Sequence, residues 1–294
     1  MKKQILGTGV ALVTPFNNDY TVDLQSLGSI VEHVIRGGVD FLVALGTTSE
    51  AATLSSAEKH LVLEKILKTN NGRIPVVIGI GGNNTNNVIE DIKAISFDGI
   101  SAILSVTPYY NKPQQDGLLA HFNKVADASP VPVILYNVPG RTSVNMKAET
   151  TLNLGNHPNI ISVKEASGDL SQIMNIISQK SEGFEVLSGD DALTLPMLAI
   201  GSKGVISVVA NAYPEKFSQM VREELNGNHK KALSLHYQLL HMIDLLFADG
   251  NPAGVKSVLN LLGLCANTLR LPLVGVKQSV GQEIAREVAR LQVS

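Results

Sequence analysis

A chain of 294 residues, 44% of them hydrophobic and with a formal charge of −2, can bury a large core and has no electrostatic footprint for nucleic acid or an anionic membrane. Its one cysteine, Cys265, cannot close an internal disulfide, which suits a reducing cytoplasm. That thiol lies in LNLLGLCANTL, an apolar helical run in which a buried, inert side chain is expected rather than a nucleophile.

The N-terminal stretch MKKQILGTGVALVTPF has the lysines and apolar run of a signal peptide. Gly7, Thr8 and Gly9 break it, however, Pro15 follows, and no small-residue cleavage site appears. It reads as a first strand. No run approaches the roughly 18 apolar residues of a membrane span, so a soluble cytoplasmic protein is expected.

Short apolar runs then recur along the first two-thirds: GVALVTP (9–15), FLVALG (41–46), PVVIGIGG (75–82) and ISAILSVTP (100–108). VPVILYNVP (131–139), IISVKEAS (160–167), FEVLSGDD (184–191) and GVISVVAN (204–211) complete the set. Each is rich in Val, Ile and Leu, lacks clean polar alternation, and ends in Gly, Pro, Ser, Asp or Asn. Parallel strands covered on both faces have this character.

Between the runs lie amphipathic stretches that open on capping residues: Asp23, the Ser55 to Glu58 box, Asp116 and Asp169. Eight alternations of strand and helix indicate an α/β fold, a (β/α)8 TIM barrel rather than a doubly wound sheet. No GxGxxG follows the first strand, and Gly79, Gly81 and Gly82 read as close backbone approach instead of a phosphate cradle. After Asn211 the pattern becomes purely helical, punctuated by Pro214, Gly227, Asn228, Gly250 and Pro252. The expected division is a catalytic barrel over 1–224 and a C-terminal helical region over 225–294 packed on it.

In such a barrel, chemistry sits where the strands end. The sixth run carries Lys164 at that end, on the same side as Ser162 and opposite Ile161 and Val163 by the two-residue period. A desolvated lysine favours the neutral amine, the nucleophile of Schiff-base chemistry, although many strand-end lysines simply reach solvent. The turn after the second strand, Gly46-Thr47-Thr48-Ser49-Glu50, could cradle a carboxylate or merely cap the next element. Tyr109 and Tyr110 follow the fourth strand, as packing or as function. Tyr136 interrupts the fifth strand and needs a hydroxyl partner, while Arg141 beyond it offers a planar fork for a carboxylate. Gly189 follows the seventh strand and Ile206 lies in the eighth. The histidines are dispersed, and neither a Cys/His cluster nor a G-x-S-x-G elbow appears, which argues against a metallohydrolase or serine hydrolase.

Taken together and in this order, GTTSE, VTPYYN, ILYNVPGRT, SVKEASG, LSGDD and GVISVVAN resemble the dihydrodipicolinate synthases. These are pyruvate-dependent class I aldolases related to N-acetylneuraminate lyase. The resemblance spans essentially the whole chain, and Arg141 within YNVPGRT separates it from the neuraminate lyases. It implies a lyase of lysine and diaminopimelate biosynthesis that joins pyruvate to L-aspartate 4-semialdehyde and needs no organic cofactor or metal. It also implies a homotetramer built as a dimer of dimers.

By motif position, Lys164 is the implied Schiff-base residue. Thr47 and Thr48 would receive the pyruvate carboxylate and relay protons. Tyr136 is the implied proton shuttle, and Tyr110 would reach in from a neighbouring subunit. Arg141 would bind the semialdehyde carboxylate, and Gly189 with Ile206 would line the floor. Two departures stand out. Ser49 replaces the usual glycine of GTTGE, a steric cost if that position needs φ > 0. Ala51, Ser56, Lys59 and Asn87 stand where lysine-inhibited members have a serine, two histidines and a glutamate, so weak or absent lysine inhibition is expected. A sister aldolase for a sugar acid or 4-hydroxy-2-oxoglutarate is the nearest alternative. A non-enzymatic barrel is a further one, disfavoured by the joint presence of Lys164, Tyr136, Thr47 and Tyr110.

Overall fold

The computed structural model describes residues 5–293. Eight strands follow one another in sequence order round a closed barrel. They are β1 (Gly7–Ala11), β2 (Phe41–Ala44), β3 (Val76–Gly79), β4 (Ala102–Val106), β5 (Val133–Asn137), β6 (Ile160–Glu165), β7 (Glu185–Ser188) and β8 (Gly204–Ser207). Helices α1 (Leu24–Arg36), α2 (Ser56–Asn70), α3 (Thr85–Lys93) and α4 (Gln115–Ala128) lie in the first four connections. The short α5 (Pro139–Thr142) and α6 (Ala148–Leu154), then α7 (Leu170–Gln179) and α8 (Thr194–Ala199), lie in the next three. The chain closes with α9 (Pro214–Leu225), α10 (His229–Ala248), α11 (Ala253–Leu261) and α12 (Gln278–Val293). The expected eight-strand (β/α) order is what forms; the Met1 to Gln4 part of the N-terminal reading lies outside the described residues. None of the described helices is long and apolar enough to cross a membrane.

The apolar runs outlast the regular strands. Leu12 and Val13 are fully buried although β1 has already ended at Ala11. Hydrophobicity reports burial, so the end of each run belongs to the turn above the strand, where a site can be built.

By their own contacts the residues form two compact units, one centred on 75–206 and the other on 7–74 with 207–294. In the first unit, Val133, Leu135, Val163 and Val186 point outward into a core shared with Leu118 and Phe122 of α4 and Ile173 and Ile176 of α7. The alternate residues, among them Tyr136 and Lys164, therefore point the other way. The expectation for Ile161 needs correcting. The register passes from Val133 opposite Ile160 to Ile134 opposite Ser162, so Ile161 is the extra residue of an irregularity. Ile160 takes its place in the core, and Ile161 is left half-buried.

In the second unit, Asp23 and Ser55 cap α1 and α2, and Ser55 forms the full reciprocal box with Glu58. Asp169 caps α7 in the first unit as expected. Asp116 does not cap α4: the helix begins two residues earlier than such a cap would set, at Gln115 after Gln114, and the acid falls in the first turn, where the helix dipole favours it. Cys265 also lies past the end of α11 rather than within a helix, yet it is buried, and burial pushes its thiol up to about 11.

A buried ion pair ties the turn after β2 to the C-terminal helices. The Lys256 ammonium on α11 donates to Glu50 and, at 2.8 Å, to the Thr268 carbonyl, and both charged side chains are fully buried. Burial lowers the lysine's pKa and the Glu50 carboxylate counters that. Glu50 also accepts the Arg270 backbone N–H at 3.0 Å, and the Arg270 guanidinium in turn pulls the Glu58 carboxyl down to about 2.

Removing one partner of a buried pair strands the other. Lys256→Ala should therefore lower stability in urea unfolding by about 3–5 kcal/mol. His121 gives a second expectation. It is 4% exposed, with Nδ1 2.9 Å from the Thr85 hydroxyl and no partner for Nε2, and burial lowers its pKa from 6.5 to about 4. Because the folded value lies below the unfolded one, the unfolded chain takes up the proton first as pH falls. This stability is complete above pH 6.5 and is lost towards pH 4, by about 2–3 kcal/mol from this group. His33 and His236 act with the same sign. Unfolding midpoints measured across that range should flatten in His121→Leu.

Candidate active site

Within residues 75–206, β5 and β6 pair in parallel with Tyr136 directly beside Lys164. Each is the penultimate residue of its strand, so both stand at the C-terminal rim. Lys164 is only 5% exposed and Tyr136 7% exposed. The amine lies 4.3 Å from the centre of the tyrosine ring. No carboxylate lies within ion-pair distance of Lys164 among the described residues, in contrast to Lys256.

Gly189, the first residue after β7, explains how the lysine fits. A Cβ there would come within 3.1 Å of both Cγ and Cε of Lys164 and 2.7 Å of the Ala166 Cβ. The missing side chain is the channel through which the lysine stem runs. Ile206 is fully buried on β8. Lys164, Tyr136 and Gly189 are thus brought together.

Tyr110 and Arg141 are not part of that buried group. Tyr110 is 84% exposed, with φ +76, a left-handed conformation that costs a tyrosine energy. Arg141 is exposed on α5, which Ser143 terminates at φ +59. Thr107 fastens this turn to the end of β4: its N–H donates to the Tyr136 carbonyl at 3.0 Å and its hydroxyl to Thr142 at 3.2 Å.

Within residues 7–74 and 207–294, the turn after β2 is a short 310 segment, Thr47–Ser49. Its first internal bond is Ser49 N–H to the Gly46 carbonyl, so the N–H groups of Thr47 and Thr48 have no partner inside the turn. Such a pair can receive a carboxylate. Thr47 is exposed and Thr48 buried. The Thr48 hydroxyl accepts the Asn251 side-chain N–H at 2.9 Å. Left-handed backbone falls on Leu45 and Glu50, not on Ser49, so the serine in place of glycine carries no such strain. Its buried hydroxyl donates to the Leu12 carbonyl at 2.6 Å and pins the turn to the end of β1.

Sequence reasoning missed Asn251, Glu50 with Lys256, and the polar pair Asn137 and Glu165. For the last two a signal existed. Each directly follows a residue of the buried group, so the two-residue period aims it at the helix layer, where an amide and a carboxylate are conspicuous. Gly81 packs as expected of close backbone approach, since a Cβ there would lie 3.0 Å from the Val106 nitrogen. Among the described residues, no group of three or more His, Cys, Asp or Glu is arranged to hold a metal ion.

Residues 4–291 match the family model described as the dihydrodipicolinate synthetase family. The 4-hydroxy-tetrahydrodipicolinate synthase of Flavobacterium psychrophilum is 55% identical over 280 residues, 95% of this chain and 96% of that one. The solved, chloride-inhibited dihydrodipicolinate synthase of Acinetobacter baumannii in complex with pyruvate superposes with a TM-score of 0.96 at 37% identity, covering 99% of this chain and 100% of its own. The lysine-bound enzyme of Cyanidioschyzon merolae gives 0.94 at 37% identity, with 98% of each chain covered. By these matches, which run nearly end to end, the chain belongs to the dihydrodipicolinate synthetase family.

Proposed function

We propose that this chain is a lyase that condenses pyruvate with L-aspartate 4-semialdehyde, the 4-hydroxy-tetrahydrodipicolinate synthase reaction of diaminopimelate and lysine biosynthesis. One observation carries the reading: Lys164 is buried at a strand end, free of any carboxylate among the described residues, with its amine over the Tyr136 ring and its stem cleared by Gly189. A structural lysine would be paired or would reach solvent.

In this reading the Lys164 amine attacks the keto carbon of pyruvate, and loss of water leaves a protonated imine. That cation is the electron sink. A methyl proton leaves with Tyr136 as shuttle, and the resulting enamine attacks the aldehyde carbon of the second substrate. The amine of that substrate then closes onto the imine carbon and expels the lysine. An ordinary phenol, with pKa about 10, needs a polarising network for such work, a role assigned to Thr47 and Tyr110. The open N–H groups and hydroxyls of Thr47 and Thr48 suit the pyruvate carboxylate, and the Arg141 fork suits that of the semialdehyde. Gly189 and Ile206 form the floor. The exposure of Tyr110 on the single chain supports its use in a neighbouring subunit, and with it a homotetramer of paired dimers. A cytoplasmic setting fits the lone, buried Cys265.

Borohydride reduction in the presence of pyruvate should fix a covalent adduct on Lys164, located by peptide mass, and Lys164→Ala should abolish it. Adduct at another residue would remove the assigned nucleophile. The unaltered enzyme should also consume aspartate semialdehyde; trapping without such turnover would point to a sister aldolase. Gly189→Ala should push the lysine stem and the Ala166 methyl aside, lowering kcat by about 100-fold, as a misplacement on the scale of an ångström does, and costing about 1–3 kcal/mol of stability through overpacking.

A further inference from the structure

The mechanism above leaves one fully buried carboxylate unused, that of Glu165, the residue after the nucleophile. The two-residue period turns it to the opposite side of β6 from Lys164. All of its partners are neutral. The Asn137 side-chain N–H groups lie 3.1 Å from both carboxylate oxygens, the Ser167 backbone N–H donates at 2.7 Å, and the Gln172 amide donates at 3.4 Å. Burial pushes the carboxyl up, and the donors from Ser167, Asn137 and Gln172 pull it back.

The same amides grip the return leg of the Arg141 turn. The Asn137 Oδ1 accepts the Met146 N–H at 2.9 Å, and its Nδ2 lies 2.8 Å from the Asn145 Oδ1. Gln172 exchanges hydrogen bonds with the Asn145 side chain at 2.9 and 3.2 Å and donates to the Met146 carbonyl at 3.3 Å. On the outgoing leg, the Thr142 hydroxyl bonds the Val138 and Val144 carbonyls at 3.2 and 3.0 Å. The four-residue α5 cannot hold its own direction, because a single turn is not stable alone. What directs it is the clamp at its base, and that clamp converges on Glu165.

We propose that Glu165, acting through Asn137 and Gln172, is a positioning residue for Arg141 and so governs recognition of the second substrate's carboxylate. Consecutive residues at one strand end would then serve two substrates, Lys164 the keto acid on one side and Glu165 the semialdehyde through the turn on the other. A buried carboxylate suits this task because hydrogen bonds to an ionised acceptor are roughly twice as strong as neutral ones. An apolar residue would fill the space equally well but would not orient the amides.

The inference rests on the reading of the active site given above, and Glu165→Gln tests it. This variant keeps the shape but sets an NH2 group against donors. The KM for aspartate semialdehyde should rise about tenfold, the size expected when a charged hydrogen-bond acceptor is lost. The KM for pyruvate and the rate of borohydride trapping at Lys164 should stay within about twofold. Gln172→Leu, at a half-buried helix position, should shift the semialdehyde KM in the same direction by about threefold. It decides the matter if Glu165→Gln does not fold. Equal loss of pyruvate trapping, or no change in the semialdehyde KM, would overturn the inference. Failure of the unaltered enzyme to consume the semialdehyde would instead overturn the functional reading.

Discussion

Two lysines among the described residues are buried, and the protein treats them in opposite ways. Lys256 is enclosed with a carboxylate and a carbonyl, the compensation a desolvated ammonium requires. Lys164 receives the face of a tyrosine and the space left by a glycine, with no carboxylate among the described residues. The first arrangement secures backbone; the second leaves an amine without an ion-pair partner among the described residues. The remaining architecture of residues 75–206 follows from this. β5 and β6 set Tyr136 and Lys164 side by side, β7 is followed at once by a residue without a side chain, and the helix layer seals the outward faces of all three.

The ends of β5 and β6 are polar on both faces, which explains why their apolar runs alone describe them poorly. On one side stand Tyr136 and Lys164. On the other, Asn137 and Glu165 hold the turns that follow the strands. The cost of burying those groups is offset by near-complete hydrogen bonding, and the result is direction rather than extra stability. The turn after β2 is built on the same logic, with Ser49, Glu50 and Thr48 each held by a named partner.

The barrel was legible because its evidence is local. Valine- and isoleucine-rich runs at regular spacing report strands buried on both sides, and Asp23, Ser55 and Asp169 report helix starts. Lys164 stood out as a cation in one such run. What stayed hidden depends on register or on distance along the chain. The irregularity at Ile161 arises from pairing with β5, which no run of residues encodes by itself. Asp116 mimics a cap because an acid in the first helical turn and one just before it look alike in sequence. Cys265 falls outside its helix because Leu262 and Gly263 end α11 earlier than the apolar run does. The partners of Glu50 and Thr48 lie 206 and 203 positions away, and only folding joins them.

That separation has a bearing on how the enzyme is made. Every strand of the ring has left the ribosome well before Asn251 and Lys256 do, yet the threonine turn relies on both for its anchorage. A nascent chain can therefore complete its sheet while the turn after β2 still lacks its partners. That turn would be secured late in synthesis, with the final helices.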